Sequence, residues 1–171
     1  AQNSYSPYAD QTYPANVYWG DTHLHSNQSV DAYILNNRLS PDDAYRLAIG
    51  KVVEGPRGVP MQRQRPLDFL VIADHAENIG LMTALESENQ TLLATDIGKR
   101  WYEKLQAVLP ELRATEEYGY KGRWPLSAEA MTKESVGSLT FRQSVWKSVI
   151  SRADKYNDPG KFTAFSGYEW T

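Results

Sequence analysis

Three histidines occur in the whole chain, His23, His25 and His75, and each falls at the carboxyl end of a stretch that reads as a β-strand. His23 and His25 are two residues apart, so on extended backbone both rings project from one face and their nitrogens can meet one cation at roughly 2.0–2.1 Å. Two ordinary strand histidines bonded to their neighbours would read the same way. Asp31 follows in the loop Asn27-Gln28-Ser29-Val30-Asp31-Ala32, which either folds back to bring a carboxylate beside the strand end or merely carries a loop acid. His75 adds a third imidazole with Asp74 directly before it; the alternative is a turn capped by Asp74 and an exposed ring. Glu169 ends an apolar run between Tyr168 and Trp170, where an unpaired charge is costly. A metal, a backbone amide or an arginine would supply its partner. Asp21, on the strand face of His23, is placed to orient a ligand imidazole from behind, and Asp74 is the corresponding carboxylate beside His75.

Other chemistries lack their residues. The chain has no cysteine, so there is no thiolate nucleophile, no disulfide and no thiolate ligand, and a bound cation would rest on His and carboxylate, a donor set suited to Zn, Mn or Fe. No serine sits in a Gly-x-Ser-x-Gly elbow, and His75 near Glu77 makes no triad. The loop Gly55-Pro56-Arg57-Gly58 matches neither the P-loop nor the dinucleotide fingerprint. Arg57, Arg63 and Arg65 precede the second strand, as contacts for an anionic substrate or as solvated loop charges.

The elements that must position these groups are legible in outline. Asn16 to Ser26 reads as a buried first strand ending in the His pair. Ser40-Pro41-Asp42-Asp43 is a helix start, with a capping hydroxyl, Pro at the first helical position and acids facing the dipole; Ala44, Leu47 and Ala48 form its inward stripe, and Gly50 its end. Leu67 to Ala73 is a nearly continuous apolar run, the pattern of a strand buried on both faces, and it delivers Asp74-His75. Ile79 to about Tyr120 reads as helical, with Ile97, Trp101, Leu105 and Val108 on one face, outside the sheet. A short helix is expected after Ser127. Phe141 to Tyr156 places Trp146, Val149, Ile150 and Ala153 on one stripe, Asn157 to Gly160 turns, and Phe162 to Tyr168 forms a third strand. Strand, helix, strand, helices, strand implies an α/β fold of about three parallel strands with helical crossovers and a helical insertion. Residues 1–16 read as an irregular arm carrying Tyr5, Tyr8 and Tyr13, and residues 17–171 as one domain.

Composition narrows the partners. Lys and Arg number 18 against 21 Asp and Glu, a net charge of −3, so no basic excess favours a nucleic-acid backbone. The longest apolar run, Phe69 to Ala73, is far below the roughly 20 residues of a membrane-spanning helix. The opening Ala1-Gln2-Asn3 reads as the start of a mature periplasmic or secreted protein after signal cleavage, with a cytoplasmic location as the alternative.

Taken together, Asp21-Thr22-His23-Leu24-His25-Ser26, the loop reaching Asp31, Ala73-Asp74-His75-Ala76-Glu77 and Gly167-Tyr168-Glu169 resemble the PHP (polymerase and histidinol phosphatase) superfamily of metal-dependent hydrolases. The wording Tyr18-Trp19-Gly20-Asp21 and Phe165-Ser166-Gly167-Tyr168-Glu169-Trp170-Thr171 looks closest to a branch described as a domain of unknown function. The resemblance covers residues from about 17 to 171. It implies a distorted β/α barrel of seven strands, of which this chain carries the N-terminal part, with two or three divalent ions and hydrolysis of a small anionic ester, most simply a phosphoester. Under it His23 and His25 bind one metal, Glu169 bridges to a second, and His75 with the Asp31 loop serves a third. The further His ligands and closing Asp-x-His motif of the superfamily are not in this sequence, so the chain alone is expected to turn over little or no substrate. Three strands also leave an open sheet edge, to be covered by an oligomeric partner or a further C-terminal segment. Sulfate esters are an alternative substrate, an amidohydrolase-like barrel an alternative fold with the same His-x-His start, and a non-catalytic binding module with a degenerate site an alternative function.

Overall fold

The computed structural model describes residues 16–55, 58–114, 129–130 and 136–170. The arm with Tyr5, Tyr8 and Tyr13, Arg57, the segment from Gly119 to Pro125 and the start expected at Ser127 lie outside the described residues. The architecture is mixed α/β. In chain order the described elements are β1 (Gly20–Leu24), α1 (Val30–Ile34), α2 (Pro41–Ala48), β2 (Val53–Glu54), β3 (Pro60–Met61), β4 (Phe69–Ile72), α3 (Leu81–Glu86), α4 (Gln90–Leu93), α5 (Asp96–Ala114), α6 (Leu139–Tyr156) and β5 (Thr163–Ser166).

The three long-range strands form one parallel sheet in the order β1-β4-β5, with β4 in the centre. Parallel neighbours need crossovers, and α2 and α6 supply them, both packing with the sheet. Helix α2 starts as its sequence requires. The Ser40 hydroxyl accepts the Asp43 N–H, the Asp43 carboxylate accepts the Ser40 N–H, and Pro41 occupies the first turn. Its buried stripe is Pro41, Tyr45 and Ala48, while Ala44 and Leu47 are only half-buried. Tyr45 joins Leu70, Ile72, Ala48, Ala153 and Phe162 in a small core between sheet and helices.

Register explains why only one face of the sheet is closed. Leu70 pairs with Ala164 and Ile72 with Ser166, and Leu70 and Ile72 are buried under α2 and α6. On the opposite face Phe69 and Val71 are half-covered and Phe165 is exposed, with Phe69 and Phe165 meeting edge to face at 6.4 Å. The run Leu67 to Ala73 is therefore buried on one face, not both. A continuous apolar run shows that a strand avoids water but not which faces are covered. Strand β1 departs further: four of its five residues are exposed, because it is an edge strand with a partner on one side only among the described residues.

Two glycines let β4 lie close to both neighbours. A Cβ at Gly20 would come within 2.4 Å of the Phe69 ring, and one at Gly167 within 2.4 Å of Val71 Cγ1. The insertion expected outside the sheet is there, as α3, α4 and α5 around a separate core of Leu81, Leu85, Leu92, Trp101, Leu105 and Leu112 that also takes Val30 and Tyr33 of α1. Ile97 and Val108 pack against it from the expected face of α5. The stripe read for α6 holds at Ala153 and, half-buried, at Val149, and fails at Trp146 and Ile150. Trp146 and Ile150 are exposed while Phe141 and Ala153 are buried, since one end of the helix packs on the α3–α5 core and the other on the sheet. The hairpin β2–β3, antiparallel around Gly55 to Val59, was legible only as a loop.

Candidate metal centre

All the candidate ligands gather at the carboxyl end of the sheet, where parallel folds place their functional groups. His23 lies in β1 and His25 directly after it. Between Asp21 and Leu24 the pairing with β4 slips, and there the Asp21 carboxylate accepts the His23 main-chain N–H at 2.8 Å. Asp21 thus holds the backbone of His23, not an imidazole nitrogen. The two rings stack, centroids 5.1 Å apart, and His75 meets His25 edge-on at 4.9 Å.

Main-chain bonds set the height of the other two ligands. Glu169 N–H donates to the Asp74 carbonyl and Ala76 N–H to the Glu169 carbonyl, both at 3.0 Å, so Glu169 is bridged to His75 beyond the end of β5. The Asp74 side chain faces the other way. It accepts the Ser26 N–H at 2.5 Å and the Ser26 hydroxyl at 2.8 Å. Asp74 therefore ties the turn after His25 to the strand ends that carry His75 and Glu169, and touches no ligand ring. Burial pushes its carboxyl above the ordinary range in spite of these two bonds.

Asp31 arrives by a short helix that the loop sequence did not announce. Val30, Tyr33 and Ile34 of α1 are buried in the α3–α5 core, and packing of this kind stabilises a single turn that has little propensity of its own. The result places Asp31 Oδ2 at 3.0 Å from His25 Nδ1 and 3.7 Å from His75 Nε2. Its Oδ1 accepts the Ser29 hydroxyl at 2.5 Å and the Ala32 N–H at 2.6 Å. Burial works to raise the Asp31 carboxyl, but these bonds and the His25 ring outweigh it and hold it below its ordinary value.

Glu169 Oε2 is the point on which the histidines converge. It lies 2.9 Å from His25 Nε2, 3.2 Å from His23 Nε2 and 3.4 Å from His75 Nδ1. Two overlapping groups of donors, His23, His25 and Glu169 and then His25, Asp31 and His75, have ligand atoms within 4.8 Å of one another. His25 Nε2 and Glu169 Oε2 are buried without a hydrogen bond, although buried polar atoms are nearly always bonded. A divalent cation fits this donor set. It would accept both orphaned lone pairs, all its ligands are nitrogen or oxygen, and His25 has a carboxylate behind its second nitrogen, as metal-binding histidines do.

The sequence candidates divide clearly. His23, His25, His75, Glu169 and Asp31 are brought together; Asp21 and Asp74 brace the backbone around them. Arg63 and Arg65 are not part of the site. They lie in the exposed segment that leads into the amino end of β4, where the Arg63 side chain bonds the Arg65 carbonyl, while His75 follows its carboxyl end. Two residues of the site went unread, Ser26 and Ser29, which are fully buried. Hydroxyls in a polar loop carry no local signal of burial; only the interval from His25 through Ser29 to Asp31 hints at a shared surface.

Among the described residues no helix is long and apolar enough to cross a membrane. No curated protein and no solved structure matches the chain. A family model described as "Protein of unknown function (DUF3604)" matches residues 12–171, and the chain belongs to that family.

Proposed function

We propose that this chain carries the first part of the metal centre of a hydrolase of the PHP type, a phosphoesterase that uses a metal-activated water. The observation that carries the reading is the convergence of three imidazoles on Glu169 Oε2, with that oxygen and His25 Nε2 buried and lacking hydrogen bonds. The parallel sheet of β1, β4 and β5 is read as one sector of a distorted β/α barrel, whose helices lie on the face of Leu70 and Ile72 and whose interior is the face of Phe69, Val71 and Phe165. Among the described residues β1 and β5 each have one neighbour in this sheet, and a further segment or a partner subunit would cover their other edges.

His25 and Glu169 hold the first ion, joined by His23 from the exposed strand; His75 and Asp31 hold a neighbouring one. Zn, Mn or Fe suits these nitrogen and oxygen donors. Bound there, such ions would lower the pKa of a water and neutralise the charge that develops on an ester anion. The protein's own residues position and desolvate. His75 and His25 are held by the strand-end network under the site, and Glu169 offers one oxygen to three rings. A small anionic ester is the substrate class that two cations at a strand end would recognise.

The test is elemental analysis of the dialysed chain and of His25→Ala, followed by a screen of phosphate monoesters and diesters against sulfate esters, amides and lactones. Metal in stoichiometric amount that disappears with His25 is the expected result. No metal in the wild-type chain would overturn the assignment for these residues, and hydrolysis confined to amides or lactones would replace the phosphoesterase reading with the amidohydrolase one.

A further inference from the structure

We propose that Ser29 is a positioning residue of the metal centre, which fixes the ring of His25 with its proton on Nδ1 and so leaves Nε2 bare for a cation. The inference rests on the metal reading above and assigns to Ser29 a task within it.

The residue occupies the N-cap of α1, where a serine ordinarily accepts an N–H of the first helical turn. Ser29 does not. Its side chain makes no cap bond, and the hydroxyl is spent entirely on the site. A hydroxyl has one proton and two acceptor positions. The proton goes to Asp31 Oδ1 at 2.5 Å. One acceptor position takes the main-chain N–H of His75 at 3.1 Å. The remaining one faces His25 Nδ1 at 3.3 Å. Ser29 is fully buried, so water does not replace any of these partners.

What surrounds His25 Nδ1 follows from that arrangement. Asp31 Oδ1 and Oδ2 lie 3.1 and 3.0 Å from it, and Ser29 Oγ is the third oxygen. Because the hydroxyl proton is committed to Asp31, every oxygen facing Nδ1 is an acceptor, and the nitrogen satisfies them by carrying the proton itself. Nε2 is then the nitrogen with the free lone pair, and it is the one beside Glu169 Oε2. A cation needs that bare nitrogen, and the partner of the other nitrogen decides which one is bare. The same hydroxyl joins the β1–α1 loop to the end of β4 through the His75 N–H, so one atom sets both the rotation of Asp31 and the distance between His25 and His75.

The experiment uses the full chain, labelled with nitrogen-15 and freed of metal, at a pH above the ordinary imidazole range. Long-range proton–nitrogen correlation reads the protonated nitrogen of His25 directly, and titration with Co²⁺ reads affinity and the visible absorption envelope. Expected are Nδ1–H in the wild-type chain, mixed tautomers in Ser29→Ala, and cobalt affinity lower by about 10–100-fold with an altered envelope. A purely structural serine would lower stability without moving the tautomer. A wild-type His25 with bare Nδ1 overturns the proposal even if Ser29→Ala does not fold. So does a folded Ser29→Ala that keeps the tautomer and binds cobalt within about twofold of wild type. Should the wild-type chain bind no cobalt while Ser29 still sets the tautomer, it is the metal reading that fails, and Ser29 keeps its effect on the ring.

Discussion

His25 Nε2 and Glu169 Oε2 lie 2.9 Å apart, both buried, without a hydrogen bond between them. Two polar atoms at that separation ordinarily bond; here their directions do not allow it, and each is left with a lone pair that a cation would satisfy. Glu169→Gln keeps the shape of the side chain and removes its charge. Affinity for Zn²⁺ or Mn²⁺ is expected to fall by more than about 100-fold, with the far-ultraviolet circular dichroism unchanged. Calorimetric titration measures the first and guards against misreading a misfolded variant.

His25 belongs to both donor groups and His23 to one. The two alanine variants should therefore differ in stoichiometry. His25→Ala is expected to bind no metal after dialysis, whereas His23→Ala, which removes only the exposed ring, keeps the ion on His25 Nε2 and Glu169. Elemental analysis of the two variants decides it, and equal losses in both would refute the central place of His25.

Gly167 separates packing from backbone effects when compared with Gly160. Alanine at 167 would press its Cβ to 2.4 Å from Val71 Cγ1, and overpacking of this sort costs about 1–3 kcal/mol. The displaced strand end carries Glu169, so metal affinity should drop with stability. Gly160 has φ +86° and open space around it; alanine there costs about 1–2 kcal/mol of backbone strain and leaves metal affinity as it was. Urea unfolding together with metal titration tests the contrast.

Asp42 couples α2 to α6 and gives the fold an acid dependence. Desolvation raises its carboxyl, but hydrogen bonds from Lys155, Tyr156 and Arg152 prevail and bring it from 3.8 down to about 2. A carboxyl depressed in the folded state contributes stability that is present above its unfolded value and lost as pH falls through the folded one. The stability gap between wild type and Asp42→Asn should thus be full at neutral pH and close between about pH 4 and pH 2. Urea midpoints measured across that range provide the check, and a gap independent of pH would show that the ion pairs contribute nothing.

The start of α2 was legible residue by residue because a capping box is a matter of neighbours: Ser40, Pro41 and Asp43 act within one turn. The face of α5 followed from helical spacing for the same reason. The face of α6 followed only in part, since Trp146 and Ile150 have the right period but stay exposed, Trp146 meeting only the edge of the Tyr168 ring at 5.7 Å. Burial of β1 was misread on similar grounds. An edge strand and a central strand use the same residue types, and what separates them is the number of neighbours.

Within the site, the amino-acid order by itself determined which groups could bind a cation and that His23, His25, His75 and Glu169 sit where strands end, because residue type and strand-end signals are local. It also ruled out thiolate ligands and a Gly-rich phosphate cradle. Tertiary structure alone decided that three rings share one oxygen of Glu169 and that α1 lifts Asp31 to two of them. It also decided that Arg63 and Arg65 stay at the other end of the sheet, and that Ser29 surrenders its cap to hold His25. These relationships run between residues far apart in the chain, such as Ser26 and Asp74 or His75 and Glu169, which the parallel pairing of β1, β4 and β5 brings to one level. No local pattern encodes that level; the register of the sheet sets it.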